Sequence, residues 1–260
     1  MNLGLEGRHA WLGAASDGLG YACAHALVEE GCHATLVARR LDQLDRARNQ
    51  LAAAERVRTL SLDLGTMEGQ VAACADIERT EPDILLLNTG GPPPGGTTEH
   101  SEEAWEHAQQ LILASARKLT AAALPAMRRR RWGRIIAIAS FTVIEPAERL
   151  ALSNVFRTAL VAYLKTLSRE VAAEGITVNC VLPGNFLTSR LRQLIADRAK
   201  REGKSDNEIE DAMRAALPQR RFQDTADLAA LVALLSSERG ASITGTAIPV
   251  DGGMSRFLLG

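Results

Sequence analysis

The chain alternates short apolar runs with longer stretches in which apolar residues recur at helical spacing. Seven apolar runs predict strands, at 9–13, 33–38, 57–64, 83–88, 134–140, 176–184 and 246–253. The intervening segments predict helices at 19–30, 42–54, 67–79, 101–127 and 152–173. Apolar strands that alternate with amphipathic helices form a parallel sheet covered on both faces, so the pattern predicts a doubly wound α/β fold. Such sheets bind ligands beyond the carboxyl ends of their strands.

Composition narrows the class of protein. The chain has 260 residues, a formal net charge of -1 and 46% hydrophobic residues, and no linker-like stretch divides it. We therefore expect residues 1–260 to form a single domain. The balanced charge argues against a nucleic-acid partner or an anionic membrane partner. No apolar run reaches the roughly 18 residues of a membrane span, and the first residues do not resemble a signal peptide, so a cytoplasmic protein is expected.

Cysteines, histidines and a basic run give little indication of further sites. The four cysteines are scattered, as is typical of reduced thiols, and the five histidines show no metal-ligand spacing, so no metal site is predicted. The basic run at 127–134 ends a predicted helix, where cations complement the helix dipole. We interpret it as a solvated helix end rather than a nucleic-acid site.

The segment 185–221 differs from the rest of the chain. It follows the sixth predicted strand and has a charged, helical composition. A long excursion after the carboxyl end of a strand favours a mobile substrate lid. An ordinary surface insertion is the alternative.

The first strand and the first helix are joined by a turn of small residues, GAASDGLG (13–20). Small residues let the backbone approach a diphosphate, whose charge is favoured by the N-terminus of the following helix. Glycines also close ordinary strand–helix turns, so this turn alone is a weak indication.

Together with five later segments in the same order, the turn resembles the short-chain dehydrogenase/reductase family over roughly residues 5–253. The later segments are LDL (62–64), NTGG (88–91), GRIIAIAS (133–140), GITVNCVLPG (175–184) followed by Thr188, and ITGTAIPVDGG (243–253). The resemblance implies a Rossmann-type sheet, a nicotinamide cofactor and a small-molecule carbonyl or alcohol as substrate. It also implies a homodimer or a homotetramer. The cofactor contacts implied are Gly13, Ser16, Gly18, Leu19, Asp63, Leu64, Asn88, Gly90, Arg157, Pro183, Gly184 and Thr188. The family's first glycine of the turn is replaced by Ala14.

The end of the second predicted strand bears on which nicotinamide cofactor is bound. An acid there would hydrogen-bond the ribose 2′-hydroxyl of NAD, but the chain has Ala38 followed by Arg39 and Arg40. Guanidinium groups pair with a 2′-phosphate, so NADP(H) is preferred and NAD(H) is the alternative. Asp17 argues against this preference, because relatives that prefer NADP often carry a cation at its position. Arg39 and Arg40 could also be solvated residues before a helix.

The catalytic positions differ most from the family. Its members use a tyrosine to transfer the proton, a lysine to lower the pKa of that tyrosine, a serine to orient the carbonyl, and an asparagine to maintain a water relay. By resemblance, Ser140 matches the serine, whereas the tyrosine, lysine and asparagine positions carry Ser153, Arg157 and Ile112. An aliphatic hydroxyl is a far weaker acid than a phenol, and a guanidinium is a poor proton relay.

Two functions follow from these replacements. In the first, the chain is an NADP(H)-dependent reductase in which Ser140, Ser153 and Arg157 are catalytic and hold a water that supplies the proton. In the second, it binds the cofactor without dehydrogenase turnover, as a sensor or a partner subunit. The retained Ser140, the cofactor crevice and the predicted lid favour the reductase.

Overall fold

The computed structural model describes residues 2–257. Within them, a parallel seven-stranded sheet has the order β3-β2-β1-β4-β5-β6-β7. The strands are β1 His9–Gly13, β2 His33–Ala38, β3 Val57–Ser61, β4 Ile84–Leu87, β5 Gly133–Ile138, β6 Ile176–Pro183 and β7 Ala247–Val250. The described α-helices are α1 Gly18–Glu29, α2 Leu41–Asn49, α3 Met67–Thr80, α4 Glu102–Gln109, α5 Ser115–Arg130, α6 Ala151–Val171, α7 Ser189–Glu202, α8 Asp206–Ala216 and α9 Thr225–Ser236.

Two hydrophobic cores cover the two faces of the sheet. On one face, α1 and α9 pack against strand residues such as Leu12 and Ile136. On the other face, α3, α5 and α6 pack against residues such as Leu85 and Ile135. The strand order reverses between β1 and β4, so the chain leaves these two neighbouring strands in opposite directions and opens a crevice at their carboxyl ends. The predicted doubly wound α/β domain is confirmed.

The predicted helix 101–127 is present as a helical segment from Glu102 to Arg130, and it contains a π-helical turn that the apolar pattern did not indicate. The helix α4 ends at Gln109, a single π-helical turn covers Gln110–Ala114, and α5 begins at Ser115. The wide turn displaces backbone carbonyls from their usual helical partners. The Gln70 side-chain amide donates to the carbonyl of Gln110 at 3.0 Å, and the Ser115 hydroxyl donates to that of Leu111 at 2.5 Å.

Two further elements are shorter than their apolar runs suggested. The strand β3 ends at Ser61 rather than at residue 64. After it, the Asp63 carboxylate accepts a hydrogen bond from the Gly65 backbone at 2.9 Å, which turns the chain away from the sheet. The helix α2 ends at Asn49, and a short 3₁₀ turn at Ala54–Arg56 leads into β3.

The segment 185–221 forms a small helical unit. The helices α7 and α8 lie within it, and Leu191, Ile195 and Ala199 pack against Ile209 in a separate apolar cluster. Because it has its own core, the unit does not depend on the main cores for its helix packing.

The basic run at the end of α5 is used in ion pairs. Arg128 pairs with Glu174, Arg129 with Glu81, and Arg130 with Glu81 and Asp83. In the part of the chain that the structure describes, no helix is both long enough and apolar enough to cross a membrane. Residues 2–257 also contain no group of three or more His, Cys, Asp or Glu side chains arranged to hold a metal ion.

A buried carboxylate ties α3 to the sheet. Asp76 on α3 is 8% exposed and accepts hydrogen bonds from Arg58 at 2.7 Å, Arg79 at 2.6 Å and the Trp11 indole at 3.2 Å. Burial alone would raise the pKa of Asp76, but the hydrogen bonds from the two arginines and Trp11 outweigh it and lower the pKa below its ordinary value.

We expect Asp76→Asn to lower the free energy of unfolding by about 2 kcal/mol at pH 7, because it removes the charged acceptor of three hydrogen bonds. A carboxylate whose pKa is lower in the folded state stabilises the fold at pH values above its unfolded-state pKa. This stabilisation is lost as the pH falls through the folded-state pKa. The difference between wild type and variant in urea unfolding should therefore shrink from pH 7 to pH 3. The control is Asp42→Asn. Asp42 forms an exposed ion pair with Arg46 at 3.7 Å, and its loss should lower the free energy of unfolding by less than about 0.5 kcal/mol. A difference that is equal at both pH values would contradict this account.

Candidate functional site

A cleft of about 650 Å³ opens at the carboxyl ends of β1, β4, β5 and β6. Most of the residues predicted to bind cofactor or substrate line it, namely Ser16, Gly18, Leu19, Arg39, Arg40, Asn88, Gly90, Ser140, Ser153, Arg157, Pro183, Gly184 and Thr188. Three predicted residues do not line it: Gly13, Asp63 and Leu64. Asp63 instead forms the turn after β3, and Leu64 is buried.

The turn after β1 is compact, because two of its glycines pack so closely against neighbouring backbone that a side chain would not fit there. A Cβ on Gly13 would lie 2.4 Å from the Asn88 carbonyl oxygen, and one on Gly20 would lie 2.3 Å from that of Ala14. Ala14 has a φ of 45°, a left-handed conformation that costs an L-residue free energy. The sequence therefore places alanine where the family has glycine, and the backbone keeps the conformation that glycine would favour.

Asp17 caps the helix that follows this turn. Its carboxylate accepts a hydrogen bond from the Gly18 backbone at 2.7 Å. The first N–H groups of a helix have no partner within the helix, so those of Leu19 and Gly20 remain to bind an anion. The N-cap preference of aspartate could have identified this role from the sequence.

We expect Gly13→Ala to lower the melting temperature by about 4–8 °C, because the added methyl group must displace backbone and costs about 2 kcal/mol. Gly90→Ala is the matched control, since a Cβ there meets no atom within 4 Å. Thermal unfolding followed by circular dichroism measures both variants. Equal melting temperatures would contradict the close packing of β1 against Asn88.

Two exposed arginines lie at one end of the cleft. Arg39 and Arg40 follow β2, and the Arg39 carbonyl accepts a hydrogen bond from the Ser61 hydroxyl at 2.9 Å. Among residues 2–257, neither has a carboxylate within 4.0 Å. Their charges are therefore free to attract an anionic group.

The retained Ser140 and the replacements Ser153 and Arg157 lie at the other end of the cleft. Ser140 follows β5, and its hydroxyl oxygen accepts a hydrogen bond from the Thr142 backbone at 3.2 Å. Ser153 and Arg157 are on α6 and are 9% and 8% exposed. An Arg157 guanidinium nitrogen, Nη1, donates to the Ile138 carbonyl at 2.7 Å. Burial and the charge of Arg190 lower the pKa of Arg157 to about 10, which leaves the group protonated at neutral pH.

A small pocket lies between Arg157 and the π-helical turn. It measures about 10 Å³ and is lined by Ile112, Ser115 and Arg157, among others. Ile112 is 2% exposed and carries no polar group toward this space. A water needs about 10–15 Å³ and two to four polar partners, so this cavity is at the lower limit for one water.

Arg190 is a cleft residue that sequence reasoning missed. Arg190 is the second residue of α7, and its guanidinium donates to the Pro92 carbonyl at 2.5 Å. Burial lowers the pKa of Arg190, while Asp197 opposes this effect. The charged composition of 185–221 was the only signal, and it does not distinguish Arg190 from its neighbours.

The proline-rich segment GGPPPGG (90–96) forms the wall of the cleft that faces α7. Pro92 and Pro94 line the cleft, and Gly95 exchanges backbone hydrogen bonds with residues before α6, donating to Arg149 at 2.8 Å and accepting from Ala151 at 3.2 Å. This wall is therefore fixed to the segment that precedes Ser153.

Comparisons with known proteins match this architecture. A family model described as enoyl-(acyl carrier protein) reductase matches residues 13–255. Dehydrogenase/reductase SDR family member 4 from Oryctolagus cuniculus is 32% identical to this chain over 259 residues, which cover 96% of this chain and 94% of the relative.

Solved structures agree with the sequence comparisons. L-sorbose reductase from Gluconobacter frateurii, complexed with NADPH and L-sorbose, superposes with a TM-score of 0.92 at 31% identity and covers 99% of this chain and 100% of its own. YwfH, an NADPH-dependent reductase involved in bacilysin biosynthesis, superposes with a TM-score of 0.90 at 26% identity and covers 97% of this chain and 100% of its own. The chain therefore belongs to the short-chain dehydrogenase/reductase family of oxidoreductases.

Proposed function

We propose that this chain is an NADP(H)-dependent reductase that interconverts a carbonyl and an alcohol with an atypical proton-donor site. One observation carries the proposal: a single cleft has Arg39 and Arg40, which have no carboxylate partner among residues 2–257, at one end, and Ser140, Ser153 and Arg157 at the other.

The residues at the cleft fit a phosphorylated dinucleotide. Ser16, Gly18 and Leu19 line the cleft at the N-terminus of α1, where a diphosphate would lie. Arg39 and Arg40 would hold the 2′-phosphate, and Arg157 would hold the ribose hydroxyls. The NADPH bound by the sorbose reductase and the NADPH dependence of YwfH support this choice over NAD(H).

The chain's own side chains would assist reduction by electrostatics and hydrogen bonding. The cofactor supplies the hydride. The Ser140 hydroxyl would donate to the carbonyl oxygen, and the charged Arg157 would stabilise negative charge that develops there. Serine is too weak an acid and too short to act as the tyrosine does. A water held between Ser140, Ser153 and Arg157 would instead relay a proton, giving one to the developing alkoxide and regaining one from solvent.

The helical unit formed by α7 and α8 would act as the substrate lid. Its first residues lie over the cofactor turn, since a Cβ on Gly18 would lie 3.3 Å from the Thr188 side chain. Its Arg190 contacts the opposite wall at Pro92. Closure over both sides would exclude water from the reacting carbonyl.

A homodimer or a homotetramer is proposed by family resemblance. The exposed face of α6 includes Val155, which is 46% exposed. Light scattering coupled to size-exclusion chromatography would report the mass in solution, and a single-chain mass would contradict this assembly.

The test is consumption of NADPH by the purified protein with a panel of aldehydes, ketones and oxo acids. We expect slow turnover with at least one compound, and slower turnover with NADH. Tight NADPH binding without turnover would favour the alternative of a non-catalytic cofactor-binding protein. The double variant Ser153→Tyr/Arg157→Lys restores the family's residues, and activity found only in that variant would contradict the proposed natural mechanism.

A further inference from the structure

The cleft carries more positive charge than its carboxylates balance. Its lining includes seven arginines and three acidic residues. Three of the arginines are paired, because Arg149 contacts Glu99 and both Arg198 and Arg201 contact Glu202. The other four have no carboxylate within 4.0 Å among residues 2–257: Arg39, Arg40, Arg157 and Arg190.

These four arginines form two separate pairs. Arg39 and Arg40 follow β2, on one side of β1 in the sheet. Arg157 bonds to the end of β5 and Arg190 to the segment after β4, on the other side of β1. The 2′-phosphate is assigned to the first pair and the diphosphate to the N-terminus of α1, so the second pair is left without an anion of the cofactor.

Without a bound ligand, the second pair, Arg157 and Arg190, carries an unfavourable electrostatic free energy. Arg157 is 8% exposed, and within the described residues its guanidinium makes one hydrogen bond, to the Ile138 carbonyl, although a guanidinium has five donors. Arg190 lies close enough to lower the pKa of Arg157 by repulsion. Buried charges are normally paired, so a bound anion would offset both the desolvation and the repulsion.

We propose that Arg190, together with the Arg157 N–H groups that do not contact the ribose, binds a carboxylate of the substrate, so that the enzyme reduces oxo acids. The inference rests on the proposed reductase function, since it assigns the substrate class of the same site. A guanidinium donates two parallel N–H bonds to a carboxylate, and this fixes the orientation of the bound acid. Ser140 lines the same end of the cleft, where it would meet the carbonyl of an acid held in this way.

The test measures binding and does not depend on turnover. Isothermal titration calorimetry with NADP⁺ first forms the cofactor complex, in which an oxo compound cannot be reduced. Benzoylformate and its methyl ester are then titrated into that complex. We expect the acid to bind at least about tenfold more tightly than the ester, because only the acid presents a carboxylate to the two guanidinium groups.

Variants on α7 assign the preference to Arg190. Arg190→Gln should remove most of the preference for the acid, whereas Arg190→Lys keeps a charge and should retain part of it. Arg192→Gln is the matched control, because Arg192 is exposed on the same helix and does not line the cleft. The affinity for NADP⁺ should stay within about twofold in all three variants.

Two results would overturn the inference. One is equal affinity of the wild type for acid and ester. The other is an Arg190→Gln variant that loses NADP⁺ affinity by the same factor as acid affinity, because Arg190 would then bind the diphosphate of the cofactor. A wild type that binds no NADP⁺ would instead contradict the proposed function itself, so the two failures are distinguishable.

Discussion

Ser140→Ala is expected to lower kcat for carbonyl reduction by about 100-fold, with the NADPH affinity nearly unchanged. The variant removes the hydroxyl that would donate to the substrate oxygen, and loss of one such donor commonly costs a factor of about 100 to 1,000. Because the family's tyrosine and lysine positions carry Ser153 and Arg157, few other groups in this site can replace that donor. Steady-state kinetics with the best compound of the panel, together with calorimetry for NADPH, measures the two quantities separately.

The control for Ser140→Ala keeps the hydroxyl. Ser140 also accepts a hydrogen bond from the Thr142 backbone, so alanine could disturb the local turn as well as the chemistry. Ser140→Thr retains both the acceptor and the donor and should recover at least about a tenth of wild-type kcat, a loss of about 1.4 kcal/mol or less. An Ala variant with full activity would show that the carbonyl is not oriented by residue 140.

The double variant Arg39→Ala/Arg40→Ala should weaken NADPH binding about 30-fold and NADH binding less than about threefold. Hydrogen bonds from a charged donor are worth about 1.5–3 kcal/mol, and about 2 kcal/mol corresponds to a factor of about 30. Both side chains are exposed and lack a carboxylate partner within 4.0 Å in residues 2–257, so their loss should cost the fold little. Calorimetric dissociation constants for both cofactors give the ratio directly.

Arg46→Ala is the control for cofactor selectivity. Arg46 lies on α2, close in sequence to Arg40, but it pairs with Asp42 and does not line the cleft. It should leave both dissociation constants unchanged. If the double variant weakened the binding of NADPH and of NADH equally, the two arginines would not bind the 2′-phosphate.

The sequence predicted the sheet well because most of its strands contain a continuous apolar run between amphipathic helices. Such runs are diagnostic of strands buried on both faces, as with β4 and β6. Ends of elements were less predictable, since they depend on single hydrogen bonds such as that of Asp63 to Gly65. The π-helical turn at Gln110–Ala114 was missed because apolar periodicity continues through it.

The candidate site was predictable where it follows strand ends. Ser140 and Arg39 could be placed at the crevice because each lies at the carboxyl end of a predicted strand of a parallel sheet. Arg190 could not, because its reach to Pro92 depends on where the α7 helix folds back over the cleft. The left-handed backbone of Ala14 was also hidden, since the neighbouring close contacts that impose it are tertiary.

Transfer of deuterium tests the central claim most directly. The protein is incubated with NADPH deuterated at C4, on each face in turn, and with the carbonyl compounds of the panel, and the alcohols are analysed by mass spectrometry. We expect deuterium on the carbinol carbon of at least one product, from one face only. Protein that binds NADPH yet transfers no deuterium to any compound would contradict the assignment of this chain as a reductase.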